Sequence, residues 1–362
     1  METKQLFFRK GTSPSRKKQI QDQHHKLNDQ REKQLAKSLK PFLALRNNYK
    51  KSIKPLISAA EKKSASRLFS DLKRTVSETL LKNRHLPDAE RLQPVRKRFK
   101  TSFLKNFSKV EQIKKLRTQY YGDIVKTAES FRTNFAINQD VLDAIIDSGI
   151  ILVSDFTRFG PPYEFGELNN TFELNTNLGD HAIIDLQTGF TSIRSHYEVE
   201  NTPVFDWFDA PSLLLKSFNG MGATYTLPKT GILEVVVVAQ NTRSRLEAGI
   251  EDNFGWSEGR VEMNAGLYLN VLHPNNIEIN ELVLTTLSLS TGGDDAHASQ
   301  NNLQTTSPFR VTLRSTGAFA QGETVQLLAG SLVTSLTYLD DMTARQNLLV
   351  SWQIKEMFVR VI

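Results

Sequence analysis

No cysteine occurs among the 362 residues. That excludes disulfide frameworks, thiolate metal sites and cysteine nucleophiles, and a chain of this length can bury two ordinary cores without such staples. Also missing is any apolar run near the roughly 18 residues that span a bilayer. The N-terminal METKQLFFRKGTSPSRKKQ is basic but has no apolar segment of the secretory type. The expected location is therefore the cytoplasm, or outside the cell by a non-classical route. Acid is scarce in the first 150 residues, with 15 Asp and Glu against 34 Lys and Arg, while the remainder holds 24 against 12. The formal charge of +7 hides this split. Glycine divides the other way, with three of 19 before residue 151, so the two parts follow different folding rules. Opposite charges on the two parts favour association of copies, and a homo-oligomer is expected.

What is present in the first part is helical. Residues 1–18, with Gly11, Pro14 and many positive charges, read as a flexible basic arm. A weak apolar stripe begins at Gln19 with Ile20, Leu27, Leu35 and Leu39, and Pro41 is expected to interrupt or kink it. A stronger stripe runs through Ile53, Ile57, Ala60, Ala65, Leu68, Leu72, Val76 and Leu80, with Pro55 suited to its first turn. Pro87 and Pro94 bracket a connector. From Val95 to about Phe135 the stripe Phe99, Phe103, Phe107, Val110, Ile113, Leu116, Tyr120, Ile124, Ala128, Phe131 and Phe135 predicts one helix on the order of 60 Å long. So long a helix needs a partner. Residues 19–149 are thus expected to form a long-helix hairpin or bundle, a stalk.

The stretch from Ile137 to Gly166 joins the two parts. Asn138 can cap a short helix that Gly149 ends, and both prolines of FGPPYEFG favour extended chain before them. Residues 150–362 show turn signals at the short intervals of an antiparallel β-sandwich of jelly-roll type. The clearest strand is Arg260 to Leu272, where Val261, Met263, Ala265, Leu267, Leu269 and Val271 alternate with a face expected to be wet. ILEVVVV at Ile232 to Val238 reads as a strand covered on both sides. Glu323 to Leu328 and Ser331 to Tyr338 read as two strands, and GMGATYTLP at Gly220 as a turn into a strand. The fold class is α+β in two segregated parts.

Tyr225, Pro228 and Gly231 in YTLPKTGILEV, with Gly322 in GETVQLL, are loosely similar to the tumour-necrosis-factor-like jelly roll. The resemblance covers about the last 140 residues and implies trimers and receptor or glycan binding through loops.

The run RLQPVRKRFKTSFLK offers Arg91, Arg96, Lys97, Arg98, Lys100 and Lys105 to a nucleic acid or anionic surface. Its phenylalanines recur at helical spacing, which places them in a core before it makes them stacking platforms. Asp206, Trp207 and Asp209 in PVFDWFDAP form one candidate recognition loop, and Asp294, Asp295 and Asn301 in STGGDDAHASQNNLQTT another. The second has oxygen donors suited to sugar or calcium but lacks EF-hand spacing, and its composition is that of a flexible loop. Alternation places His196, Glu198 and Glu200 on one strand face with Arg194, the pattern of a solvated face more than of a metal site. His181 with Asp180 and Asp185 is the other local cluster. No Walker loop, dinucleotide fingerprint, nucleophile elbow or zincin helix occurs, so no cofactor or metal is expected and an enzyme is the least supported class. The expected function is non-enzymatic: a helical stalk presenting a sandwich to a protein or glycan. The alternatives are a nucleic-acid-associated coat protein and a membrane-active helical pore-former.

Overall fold

The computed structural model describes residues 3–82, 94–95, 98–99, 101–102, 105–133, 156–173, 177–200, 212–252, 258–273, 276–292, 295–302, 308–339 and 342–362. Two antiparallel sheets pack face to face. The first runs in the order β1 (Thr3–Phe8), β3 (Phe165–Glu173), β6 (Ser212–Thr226), β12 (Thr324–Leu339), β8 (Glu258–His273), β9 (Asn276–Gly292). The second runs β10 (Ala296–Asn302), β7 (Gly231–Asp252), β13 (Met342–Val361), β5 (Phe190–Glu200), β4 (Asn177–Asp185), with β11 (Phe309–Phe319) on β7 and β2 (Thr157–Phe159) on β13. Period-two alternation sends Val261, Met263, Leu267, Leu269, Val325, Leu327 and Val333 of the first sheet inward. They meet Leu233, Val235, Val237, Leu246, Leu348, Val350 and Trp352 of the second in one buried core. Trp352 is fully buried and its indole Nε1 donates to the Gly266 carbonyl at 2.8 Å across the sheets. That carbonyl sits where the β8–β9 register slips between Ala265 and Gly266.

The expected flexible arm is instead ordered. Residues 3–8 pair with β3 from Thr3↔Asn170 to Phe8↔Phe165, because LFF supplies a strand that the free edge of β3 can take. Gly11, at φ 88°, then turns the chain, and Ser13 caps helix α1 (Pro14–Ile53) by accepting from Arg16 N at 3.3 Å. Pro41 lies inside α1 without ending it.

The expected long-helix hairpin is corrected as well. The pattern from Val95 to Phe135 is broken by a turn at residues 105–109, where Asn106 Nδ2 bonds the Ser102 carbonyl at 2.7 Å and competes with the helical ladder. Helices α2 (Ala59–Lys82) and α3 (Val110–Thr133) flank this turn in sequence. Of the described side chains in the apolar periods, Ile53, Ile57, Ala65, Leu72, Phe99, Phe107, Ile113, Tyr120 and Ile124 share one cluster, while Ala60 is exposed. Tyr49, outside those periods, joins the cluster with its ring stacked on that of Tyr120 at 4.6 Å.

Nor is this layer a stalk. Tyr338 of β12 belongs to the helical cluster, and Ile20 of α1 is fully buried with Phe165, Tyr268, Leu272, Leu328 and Leu332 on the outside of the first sheet. The face of β8 expected to be wet is covered, with Tyr268 at 1% exposure. An apolar outer face must be hidden, and the helix hides it. Polar ties fix the register: Gln326 Nε2 donates to the Ile20 carbonyl at 3.2 Å, Arg16 Nε pairs with Glu164 Oε1 at 2.5 Å, and buried His24 faces buried Glu167 at 3.3 Å. Burial opposes ionisation of Glu164, but the bonds from Arg16 and Thr224 outweigh it and lower its pKa.

Two further strand assignments change. Residues 324–339 form one strand, because Gly330 allows close backbone approach and is not a turn. Gly220 and Gly222 lie within β6, where Tyr268 Oη and the Leu327 carbonyl leave no room for a Cβ. The expected short helix between Asn138 and Gly149, and the strand start at Ile150, lie outside the described residues.

Candidate functional site: a polar cleft on the second sheet

The outer face of the second sheet is polar, and its centre is concave. Antiparallel register sets Glu198 of β5, Arg345 of β13, Gly249 of β7 and His297 of β10 in one row across four strands. The next row is His196, Asn347, Glu247 and Ser299. Alternation does this: residues at i and i+2 on each strand share the face, and their neighbours, such as Tyr197, Val199, Leu246 and Ala344, fill the core. The middle of the first row has no side chain because residue 249 is glycine. The His297 ring lies over it so closely that a Cβ there would sit 2.6 Å from Nδ1. The result is an open cleft of about 400 Å³ lined by Glu247, Glu251, His297, Ser299, Arg345 and Asn347.

Its polar groups are held in place. Arg345 Nε donates to Glu198 Oε1 at 3.3 Å and its Nη1 to Glu251 Oε1 at 2.8 Å, so one guanidinium bridges carboxylates from two strands. Asn347 Oδ1 lies 2.7 Å from His196 Nδ1, and Glu247 pairs with Arg245. The site therefore presents fixed planar donors and acceptors in a solvent-facing trough. Among the described residues no group of three or more His, Asp or Glu is arranged to hold a metal ion.

The structure gathers part of what sequence singled out. His196 and Glu198 border this cleft. The stretch expected as a flexible loop contains β10, since pairing with residues 244–250 of β7 gives a polar segment a ladder that composition does not announce. Asp295 immediately precedes that strand and Asn301 is its penultimate residue, both exposed and in phase with His297 and Ser299. Asp185 belongs to a turn, accepting from Gln187 N at 3.0 Å and Thr188 Oγ1 at 2.7 Å, bonds led by Thr188 that lower its pKa. Arg98 and Lys105 are exposed in the helical layer, away from the cleft. Arg91, Arg96, Lys97, Lys100, Asp206, Trp207, Asp209 and Asp294 lie outside the described residues. Sequence reasoning missed Glu247, Glu251, His297, Ser299, Arg345 and Asn347. The available signal was period-two polarity in Arg245, Glu247, Gly249, Glu251 and in Arg345, Asn347; what no local pattern gives is the pairing that joins them.

Among the described residues no helix is long and apolar enough to cross a membrane, which says nothing of strands. No family model matches the chain, and no curated protein sequence does. Among solved structures, the chain is similar to TmCBM61 in complex with β-1,4-galactotriose at 8% identity, over 47% of this chain and 86% of that one, with a TM-score of 0.14. The enzymatically active domain of bacteriophage CBA120 tailspike protein 4 is matched at 10% identity over 53% and 19%, with a TM-score of 0.10. A structure of infectious bursal disease virus, Gt strain, is matched at 12% identity over 52% and 42%, with a TM-score of 0.11. Likenesses this weak carry no argument, and the cleft has to be interpreted from its own chemistry.

Proposed function

We propose that the protein is a non-enzymatic binding protein that takes a glycan in the cleft on its second sheet. The observation that carries this reading is Arg345, held between Glu198 and Glu251 beside the Asn347–His196 pair. A polyhydroxylated ring offers pairs of neighbouring hydroxyls, each both donor and acceptor. A guanidinium with remaining N–H groups, carboxylate lone pairs and a carboxamide, all fixed on rigid strands, match such pairs without a further ordering cost. The open trough suits a chain that enters and leaves at both ends.

The test is a panel of immobilised neutral and acidic oligosaccharides probed with the full chain and with Arg345→Ala. Retention of at least one oligosaccharide by the wild type is expected. The variant should bind it roughly tenfold more weakly, the ~1.4 kcal/mol of a charge-assisted hydrogen bond. Wild-type protein that retains none of the panel, or a variant that retains it equally, overturns the reading.

A further inference from the structure

Helix α1 carries a second surface, independent of the cleft. Among its described side chains the buried ones are Ile20, His24, Phe42, Tyr49 and Ile53. At about 100° per residue they fall on one side. Lys18, Lys26, Lys33, Lys37, Lys40 and Lys51 are all exposed, and by the same rotation they fall within roughly 100° on the opposite side. The stripe is a ridge along the solvent face of the helix. Asp22 and Asp29 interrupt its first half, but no Asp or Glu occurs from Lys33 to the end of α1. Among the described residues none of these six lysines is in an ion pair. Burial, and then the Arg46 charge, lower the pKa of Lys50 on the flank.

The geometry narrows the partner. Lys33 to Lys51 span about 27 Å at 1.5 Å per residue, long enough to meet several phosphates of a duplex that carries one charge per ~1.7 Å of its axis. The aromatics of α1, Phe42 and Tyr49, are buried, which leaves the ridge no ring on which a base could stack. A lipid surface would require a free apolar face beside the charges. Here Ile20 is packed on the first sheet and Tyr49 and Ile53 in the helical cluster, and among the described residues Leu43 is the one large apolar side chain of α1 that is exposed. We infer that this ridge is a sequence-independent contact for the phosphodiester backbone of a nucleic acid duplex.

The experiment uses the full chain and fluorescence anisotropy with a mixed-sequence DNA duplex and its RNA counterpart, titrated from about 50 to 200 mM salt. Binding that falls linearly with the logarithm of salt is expected with one duplex or both. The variant Lys33→Gln/Lys37→Gln/Lys40→Gln should bind more weakly, with a salt slope shallower by about 2.7, or ~0.9 for each phosphate no longer neutralised. Its unfolding midpoint should match the wild type, since all three side chains are exposed. Arg98→Gln/Lys105→Gln and Arg345→Ala should bind duplex as the wild type does, which separates this surface from the rest of the helical layer and from the cleft. No binding to either duplex at the lowest salt overturns the inference. So does an unchanged slope in the triple variant, loss of binding in Arg98→Gln/Lys105→Gln instead, or binding to phosphatidylserine vesicles with none to duplex.

Discussion

The carboxylate of Glu61 reaches Ser108 across the helical layer and serves two chain segments at once. Its Oε2 accepts from the Ser58 backbone N–H at 2.7 Å while Ser58 Oγ accepts from Glu61 N at 3.2 Å, a capping box at the start of α2. Its Oε1 accepts from Ser108 N at 2.8 Å and Ser108 Oγ at 2.9 Å, just before α3. Bonds from the Ser108 backbone, then from the Ser58 hydroxyl and backbone, lower the pKa from 4.5 to about 2. Glu61→Ala should therefore cost about 1 kcal/mol at neutral pH, the scale of a lost cap. The larger amount implied by the shift alone does not apply, because solvent screens an exposed carboxylate. A folded-state pKa below the unfolded one gives stability that is present above pH 4.5 and lost as pH falls toward 2. Urea unfolding of both proteins at a series of pH values checks this: the gap should narrow from pH 4.5 downward, and a constant gap removes the assignment.

Trp352 tests the tie between the sheets. Trp352→Phe keeps an aromatic ring in the core but leaves the Gly266 carbonyl without its indole donor. The expected loss is about 2 kcal/mol, from an unsatisfied buried acceptor and a small void together. Urea unfolding followed by far-UV circular dichroism measures it without relying on the indole that the change removes. A loss well under ~0.5 kcal/mol would mean that the bond contributes nothing net.

Residues that state their own environment were legible in sequence. The odd-numbered apolar positions of β8 face the core as alternation requires, and Phe99, Phe107, Ile113, Tyr120 and Ile124 form a core as their helical spacing requires. What sequence could not give was anything set by a distant neighbour. Ser102, Asn106 and Glu61 break a continuous period through side-chain bonds to backbone, and such bonds leave no periodic trace. The outer face of β8 looks wet in isolation, since Glu262, Asn264 and Asn270 alternate there. Ile20, nearly 250 residues earlier, packs there with Phe165, Leu328 and Leu332 and makes it an interface. The cleft failed for the same reason: Arg345 meets Glu198 and Glu251 through strand order, which no local window contains.

Two glycines separate crowding from backbone conformation. At Gly330 an added Cβ would lie 2.1 Å from the Asn219 carbonyl oxygen and 2.4 Å from the Gly220 Cα, both backbone atoms that cannot swing away. At Gly322 there is open space, but φ is +84°. Gly330→Ala should therefore force β6 and β12 apart and cost about 3 kcal/mol, whereas Gly322→Ala should cost about 1 kcal/mol from the left-handed backbone alone. Gly317→Ala, with nothing within 4 Å, is the control and should be near neutral. Thermal unfolding of the three variants gives the order, and a Gly330→Ala protein as stable as the control contradicts the close approach of these strands.

Gly249 gives the sharpest test of the cleft, because there the obstacle is the end of a side chain. A Cβ at 249 would meet His297 Nδ1 at 2.6 Å and Cε1 at 2.9 Å, and an exposed imidazole can rotate away where a backbone carbonyl cannot. Gly249→Ala should thus leave stability within about 0.5 kcal/mol of wild type, as surface changes do. The displaced ring and the new methyl, however, both enter the trough between Arg345 and His297. Oligosaccharide binding should fall roughly tenfold while the unfolding midpoint stays put, since even a small misplacement of fixed polar groups forfeits a hydrogen bond of ~1.4 kcal/mol. Ser299→Ala, on the same strand as His297 but with no closing effect on the row of residue 249, should weaken binding less. If Gly249→Ala binds as well as the wild type, the ligand does not lie over residue 249, and the cleft is not where the protein holds it.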